Sequence, residues 1–136
     1  MRPAFFVFLS YALSVVAQGA CAAECNRNDQ SQAGLNICAD ADYKAADQKL
    51  NQTYGRIMKR LSGDHDTARL LQVSQRAWIA FRDAECDFRT SASKDGSIYP
   101  LEVLLCRRDL TEERTKALDA YLHCGEGDPG CPVPAQ

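Results

Sequence analysis

The chain has 136 residues, with 16 basic and 18 acidic side chains and a formal net charge of −2. That length suits one domain, and the nearly balanced charge argues against a nucleic-acid binder working from a basic surface. Seven cysteines and only two histidines, His65 and His123, leave little for histidine-based chemistry and suggest a cysteine-stapled fold.

The N-terminus reads as an export signal. Arg2 precedes an apolar run from Ala4 to Ala17, and the small-residue exit Ala20-Cys21-Ala22 follows. A charged start, a short apolar core and an A-x-A exit form a secretory signal peptide. The run is shorter than the ~20 apolar residues that a membrane span needs. We expect residues 1–22 to be removed and the protein to be periplasmic or secreted. Lipidation would use Cys21, but Gln18 stands where a lipoprotein signal carries an aliphatic residue. Loss of the signal leaves 15 basic and 18 acidic residues, a charge of −3, and six cysteines. These are Cys25, Cys38, Cys86, Cys106, Cys124 and Cys131, an even number that fits full pairing in an oxidising compartment.

The rest predicts helices. Asp29-Gln30-Ser31-Gln32 resembles a capping box and opens a short helix to about Cys38. Tyr43, Ala46, Leu50, Tyr54, Ile57 and Leu61 then recur at three- and four-residue steps, one face of a long helix. Ser62-Gly63 stops it, with Gly63 at the C′ position. Asp64 or Asp66 caps the next helix. Its apolar face runs through Leu70, Val73 or Ser74, Ala77, Phe81, Ala84 and Phe88, with Leu71 and Trp78 beside it. Ser91 to Ser97 is a turn. Pro100 suits the first turn of a third helix, whose face includes Leu101, Leu104, Leu105, Leu118, Tyr121 and Leu122. The Gly/Pro-rich residues 125–136 are expected to form a flexible tail after a helical domain at 24–124. Long helices joined by short turns pack as antiparallel neighbours. The predicted fold is all-α: a disulfide-stapled antiparallel bundle of three main helices, preceded by a short N-terminal one.

Six cysteines allow 15 connectivities, and the helix arrangement favours local ones. Cys86 lies ten residues before Gly96 and Cys106 ten after it, as a cross-hairpin bridge requires. Cys25 and Cys38 flank the short first helix. Cys124 and Cys131 close a small Gly/Pro loop. A metal site built on His123, Cys124 and Cys131 has too few ligands at zinc-finger spacing.

Several residues carry a resemblance. Leu35-Asn36-x-Cys38-Ala39 is followed by Ala41-Asp42, by Leu50-Asn51 and Tyr54, and then by Trp78-Ile79-Ala80-Phe81-Arg82-Asp83-Ala84-Glu85-Cys86. Gly96-Ser97-Ile98, Cys106 and Leu110-Thr111-x-x-Arg114-x-x-x-Leu118 complete the pattern. Over residues 25–122 the chain resembles the lysozyme inhibitor LprI-like domain family, small exported proteins named after a lipoprotein that inhibits lysozyme. The resemblance implies a helical fold and a lysozyme or another muramidase as partner. The chain differs from that namesake in lacking a lipobox and in adding the Cys124–Cys131 tail.

The residues themselves favour a binding module over an enzyme. Trp78 and Phe81 at helical spacing are expected in the core, and Arg82, Asp83 and Glu85 are expected to pair with Arg114 or Arg108 across the hairpin. Trp78, Phe81, Arg82, Asp83 and Arg114 are thus read as a mainly structural motif. Glu112-Glu113, or Asp83 with Glu85, lack the separation of a glycosidase pair. Asp64-His65-Asp66 has no nucleophile beside it, so no catalytic residue, cofactor or metal is assigned. The candidate binding residues are Lys94, Asp95 and Ser97, polar groups on a turn backed by the Cys86–Cys106 bridge, with Ser62–Asp66 second. The competing reading is a cell-envelope structural or assembly protein that never touches lysozyme.

Overall fold

The computed structural model describes residues 24–125 and 127–133. The expected signal segment lies outside them. Three helices follow one another: α1 at Gln32–Arg60, α2 at His65–Arg89 and α3 at Tyr99–Tyr121, with a 3-10 turn at Ser91–Ser93 between the last two. No strand occurs among the described residues.

The expected short N-terminal helix is not separate; it forms the first turns of α1. The cap is Ser31, whose hydroxyl accepts from the Gly34 amide, while Asp29 accepts from the Ser31 amide one step earlier. Segment 24–31 turns back along α1. Cys25 is bonded to Cys38, and Arg27 Nη1 donates to Asp42 at 3.0 Å. The Arg27 hydrogen bond holds the Asp42 carboxyl below its ordinary value. That contribution is present above the ordinary carboxylate range and is lost as pH falls through the lowered value. Gly34 is required here, because a Cβ would lie 2.7 Å from the Asp29 carbonyl oxygen. Gly34→Ala is therefore expected to loosen this clip. Limited proteolysis should cut the 24–31 segment faster than in the parent, and equal cutting rates would show that the clip adapts.

α1 follows its predicted face: Ala46, Leu50, Ile57 and Leu61 are buried, and Tyr54 packs against them. α1 and α3 are the closest pair of helices. Small residues make this possible, with Ala39, Ala46 and Thr53 buried on α1 and Thr111 and Thr115 on α3. Short side chains at the contact lower the interaxial distance. Leu118 and Leu122 complete the core from α3, and Arg60 Nη1 donates to the Leu122 carbonyl at 2.9 Å. The last turns of α1 and α3 thus lie side by side, with α2 running back between their levels. Gly63 does not adopt a left-handed conformation; among the described residues only Gly127 has a positive φ. Asp64 caps α2 by accepting from the Thr67 amide.

α2 corrects the sequence reading. Leu70 is 60% exposed, Phe81 55% and Phe88 75%, and Val73, Ala77 and Ala84 are exposed with them. The inward face instead carries Ala68, Leu71, Gln75, Trp78, Arg82 and Cys86. The reason is covalent: Cys86 is fully buried and bonded to Cys106 of α3, so its face of the helix must turn inward. Near the end of the described residues a third disulfide forms. Cys124 and Cys131 are bonded, and the loop they close brings Val133 into the core beside Leu61 and Leu122.

Candidate binding surface

The turn between α2 and α3 is built as a rigid tip. The Cys86–Cys106 bridge ties its two stems, with Cα atoms 5.7 Å apart. Buried Thr90 donates from its hydroxyl to the Cys86 carbonyl at 2.8 Å, ending α2. The Ser93 hydroxyl contacts the Thr90 carbonyl at 3.0 Å and the Glu102 carboxylate, which joins the tip to the first turn of α3. The Gly96 amide donates to the Ser93 carbonyl at 2.7 Å. A Cβ on Gly96 would stand 3.1 Å from that carbonyl oxygen, so the tight return favours glycine. Lys94, Asp95 and Ser97 all project to solvent from this frame. Their backbone is already ordered, which lowers the entropic cost of binding through them.

The loop at residues 61–64 lies at the opposite end of α2. Here the Thr67 amide holds the Asp64 carboxyl below its usual range, and the exposed Asp66 pairs with Arg69 at 3.8 Å. Asp64 is committed to its cap, which leaves Ser62, His65 and Asp66 as the outward polar groups.

The segment from Trp78 to Asp83 is divided between two jobs. The Arg82 guanidinium, only 7% exposed as a residue, lies between aromatic faces, 5.3 Å from the Trp78 ring centroid and 5.5 Å from that of Tyr43. It pairs with Asp83 at 3.0 Å and with Asp47 of α1 at 3.8 Å. Arg114 approaches Trp78 from α3, 5.9 Å from the centroid, and donates to Gln75 and Ser74. Cation–π contacts are strongest where water is excluded, so this stack links all three helices. The expected pairing with Arg108 or Arg114 is not formed. Asp83 meets Arg107 at 3.5 Å, and Arg108 pairs with Asp109. Phe81 points away from the stack to solvent. Sequence reasoning missed Tyr43 and Asp47 as partners of Arg82, because nothing in the spacing of one helix reveals what another presents to it.

Between α1 and α3 a groove of about 550 Å³ is lined by Asp42, Lys49, Arg108, Glu112 and Lys116 among others. Its charges alternate in sign and suit no single class of ion. Cys124 and Cys131 are bonded to each other, so neither offers a thiolate to a metal. Among the described residues no group of three or more His, Cys, Asp or Glu side chains is placed to hold one. Nor is any described helix long and apolar enough to cross a membrane.

Fold and surface together define a small helical module stapled by three disulfides, with exposed polar groups on a braced turn. Residues 22–118 match the model of the family described as Lysozyme inhibitor LprI, and the chain belongs to that family. It is 38% identical over 111 residues to the uncharacterized protein R02472 of Rhizobium meliloti (strain 1021), covering 74% of this chain and 80% of that protein. It is also 28% identical over 111 residues to the uncharacterized protein YecT of Escherichia coli (strain K12), covering 70% of this chain and 68% of that protein. No solved structure gives a significant match. Three disulfides and this family point to an extracytoplasmic protein.

Proposed function

We propose that this protein is an exported binding module that inhibits a lysozyme-type muramidase by seating the 91–97 tip in its cleft. The observation that carries the reading is the tip itself: a disulfide-backed, hydrogen-bonded turn in a member of the LprI family, with Lys94 and Asp95 exposed on it. In this reading residues 1–22 are a cleaved signal peptide and the mature protein works in the periplasm or outside the cell. Lys94 pairs with the carboxylates of the muramidase site, Asp95 with basic residues at its rim, and Ser97 hydrogen-bonds beside them. A mature charge of −3 favours encounter with a basic lysozyme. The module binds and performs no chemistry.

The test is lysis of cell-wall suspensions by several lysozymes, with and without the protein. Changing both Lys94 and Asp95 to Ala is expected to weaken inhibition roughly tenfold or more, because paired charges at an interface set both rate and specificity. The melting temperature should stay the same, since both side chains are exposed. The difference should shrink at high salt, where charge steering is screened. Equal inhibition by parent and double variant would move the site to Ser62–Asp66. A parent that never inhibits would replace this reading with that of an envelope structural or assembly protein.

A further inference from the structure

The three helices close unevenly. Small residues draw α1 and α3 together, whereas α2 is stapled to α3 only near its C-terminal end, through Cys86. Towards its N-terminal end α2 leaves a cavity of about 210 Å³ against the other two helices. Ile57 and Leu61 of α1 and Val133 of the C-terminal loop form its buried floor, with Leu71 beside them. Leu70 and Tyr121 stay exposed at its rim. A concave, mostly apolar site with a few placed polar groups is the usual form of a small-molecule pocket. Arg114 is the one charged residue in this lining, and it stands beside Ser74. It lies seven residues before Tyr121 on α3, about 10 Å at the helical rise. Arg114 Nε donates to Gln75 and Nη2 to the Ser74 hydroxyl, both neutral acceptors, and the guanidinium lies against the Trp78 ring. Among the described residues it makes no ion pair, whereas Arg82, Arg107 and Arg108 each meet a carboxylate. Burial without such a partner pushes the Arg114 pKa below the ordinary arginine value.

We propose that this cavity binds a single apolar chain ending in a carboxylate, with the carboxylate on Arg114 and the chain running towards Tyr121. The guanidinium is a planar fork that suits a carboxylate, and a charged donor pair of this kind is the strong form of hydrogen bond. Arg114 Nη1 donates to no described residue, so one arm of the fork is available. The Ser74 hydroxyl accepts from Arg114 and keeps its own hydrogen to donate to the same carboxylate. The contacts with Trp78 and Gln75 already hold the guanidinium in place, which lowers the cost of ordering it on binding. Size sets the length of the chain. A cavity of roughly 150 Å³ holds benzene, a six-carbon body. In proportion, 210 Å³ admits about eight carbons. That length also matches the distance from Arg114 to the far rim, and it leaves no room for a second chain.

Octanoate and 1-octanol share a chain and differ in charge, so together they test the site. Isothermal titration calorimetry on the purified, disulfide-bonded protein should show one saturable octanoate site. 1-Octanol should bind roughly tenfold more weakly or worse, the scale of losing hydrogen bonds to a charged group. Arg114→Gln should raise the octanoate dissociation constant by a similar factor and leave that of 1-octanol unchanged. Because Arg114 also packs on Trp78, Leu70→Glu provides a second reading. Leu70 is exposed, so this change should keep the melting temperature while its carboxylate at the rim weakens octanoate binding. Phe88→Ser, on α2 but outside the cavity, should bind octanoate as the parent does. Absence of saturable octanoate binding overturns the proposal. So does equal affinity for 1-octanol, or octanoate binding that is unchanged in Arg114→Gln or in Leu70→Glu. Loss of binding in Phe88→Ser would put the chain on the outer face of α2 and overturn it as well. The titration contains no lysozyme, so its failure leaves the inhibitor reading standing, and failure of that reading leaves this one.

Discussion

Leu118→Ala is expected to lower the unfolding free energy by about 2–5 kcal/mol, the range for a leucine removed from a packed core. Leu118 is 0% exposed, and it lies where all three helices and the C-terminal loop meet. Its neighbours include Leu50, Ile57, Leu61 and Leu122, with Trp78 packed at the margin. The small residues between α1 and α3 have already drawn those two helices close, so little further collapse can fill the space that a leucine leaves. That places the cost towards the upper half of the range. Urea unfolding followed by circular dichroism measures it directly. A loss below about 1 kcal/mol would mean that the junction relaxes, and that the core depends less on this point than its burial indicates.

Legibility of the fold from sequence varied with the kind of information each element needed. α1 was readable because one face of it, from Ala46 to Leu61, is both the most apolar and the buried one. The three disulfides were readable because each closes a short loop whose ends the helices already bring together. α2 was misread because it has two faces able to pack. Hydrophobic periodicity selects the stripe of Leu70, Phe81 and Phe88, yet burial goes to the face that includes Gln75 and Arg82. Two residues of that face are polar, so periodicity scores it lower. The correct signal was nonetheless present. A buried Cys86–Cys106 bridge orients α2, and Arg82, Trp78 and Gln75 lie four, eight and eleven residues before Cys86 on the same side. At the end of the described residues Val133 follows the Cys124–Cys131 bridge and packs in the core, a placement that proline and glycine content does not indicate. Partners across helices were the least legible part. Arg82 meets Tyr43 and Asp47, and Asp83 meets Arg107, through contacts that only the assembled bundle defines.

Replacing both Cys86 and Cys106 with Ser is expected to cost about 3 kcal/mol under oxidising conditions, as removal of a cross-link of this span does in the chain-entropy model. Twenty residues separate the two cysteines, and Cys86 is fully buried, so the change also places a hydroxyl in the core. On a domain of this size the thermal midpoint should fall by roughly 12–24 °C. The loss has a second consequence that chain entropy alone does not predict. With the bridge gone, nothing covalent decides which face of α2 turns inward, and the stripe of Leu70, Phe81 and Phe88 competes for the core. Burying it would rotate Trp78 and Arg82 outward and separate Arg82 from Tyr43 and Asp47. Trp78 is the one tryptophan of the chain, so its emission reports this directly. The double variant should show a red-shifted emission below its melting transition, while circular dichroism still registers helix. A lower midpoint with unchanged emission would mean that Arg82 and Trp78 hold the orientation of α2 by themselves. An unchanged midpoint would show that the bridge neither stabilises the fold nor selects the face, and the account of α2 given by its disulfide would be wrong.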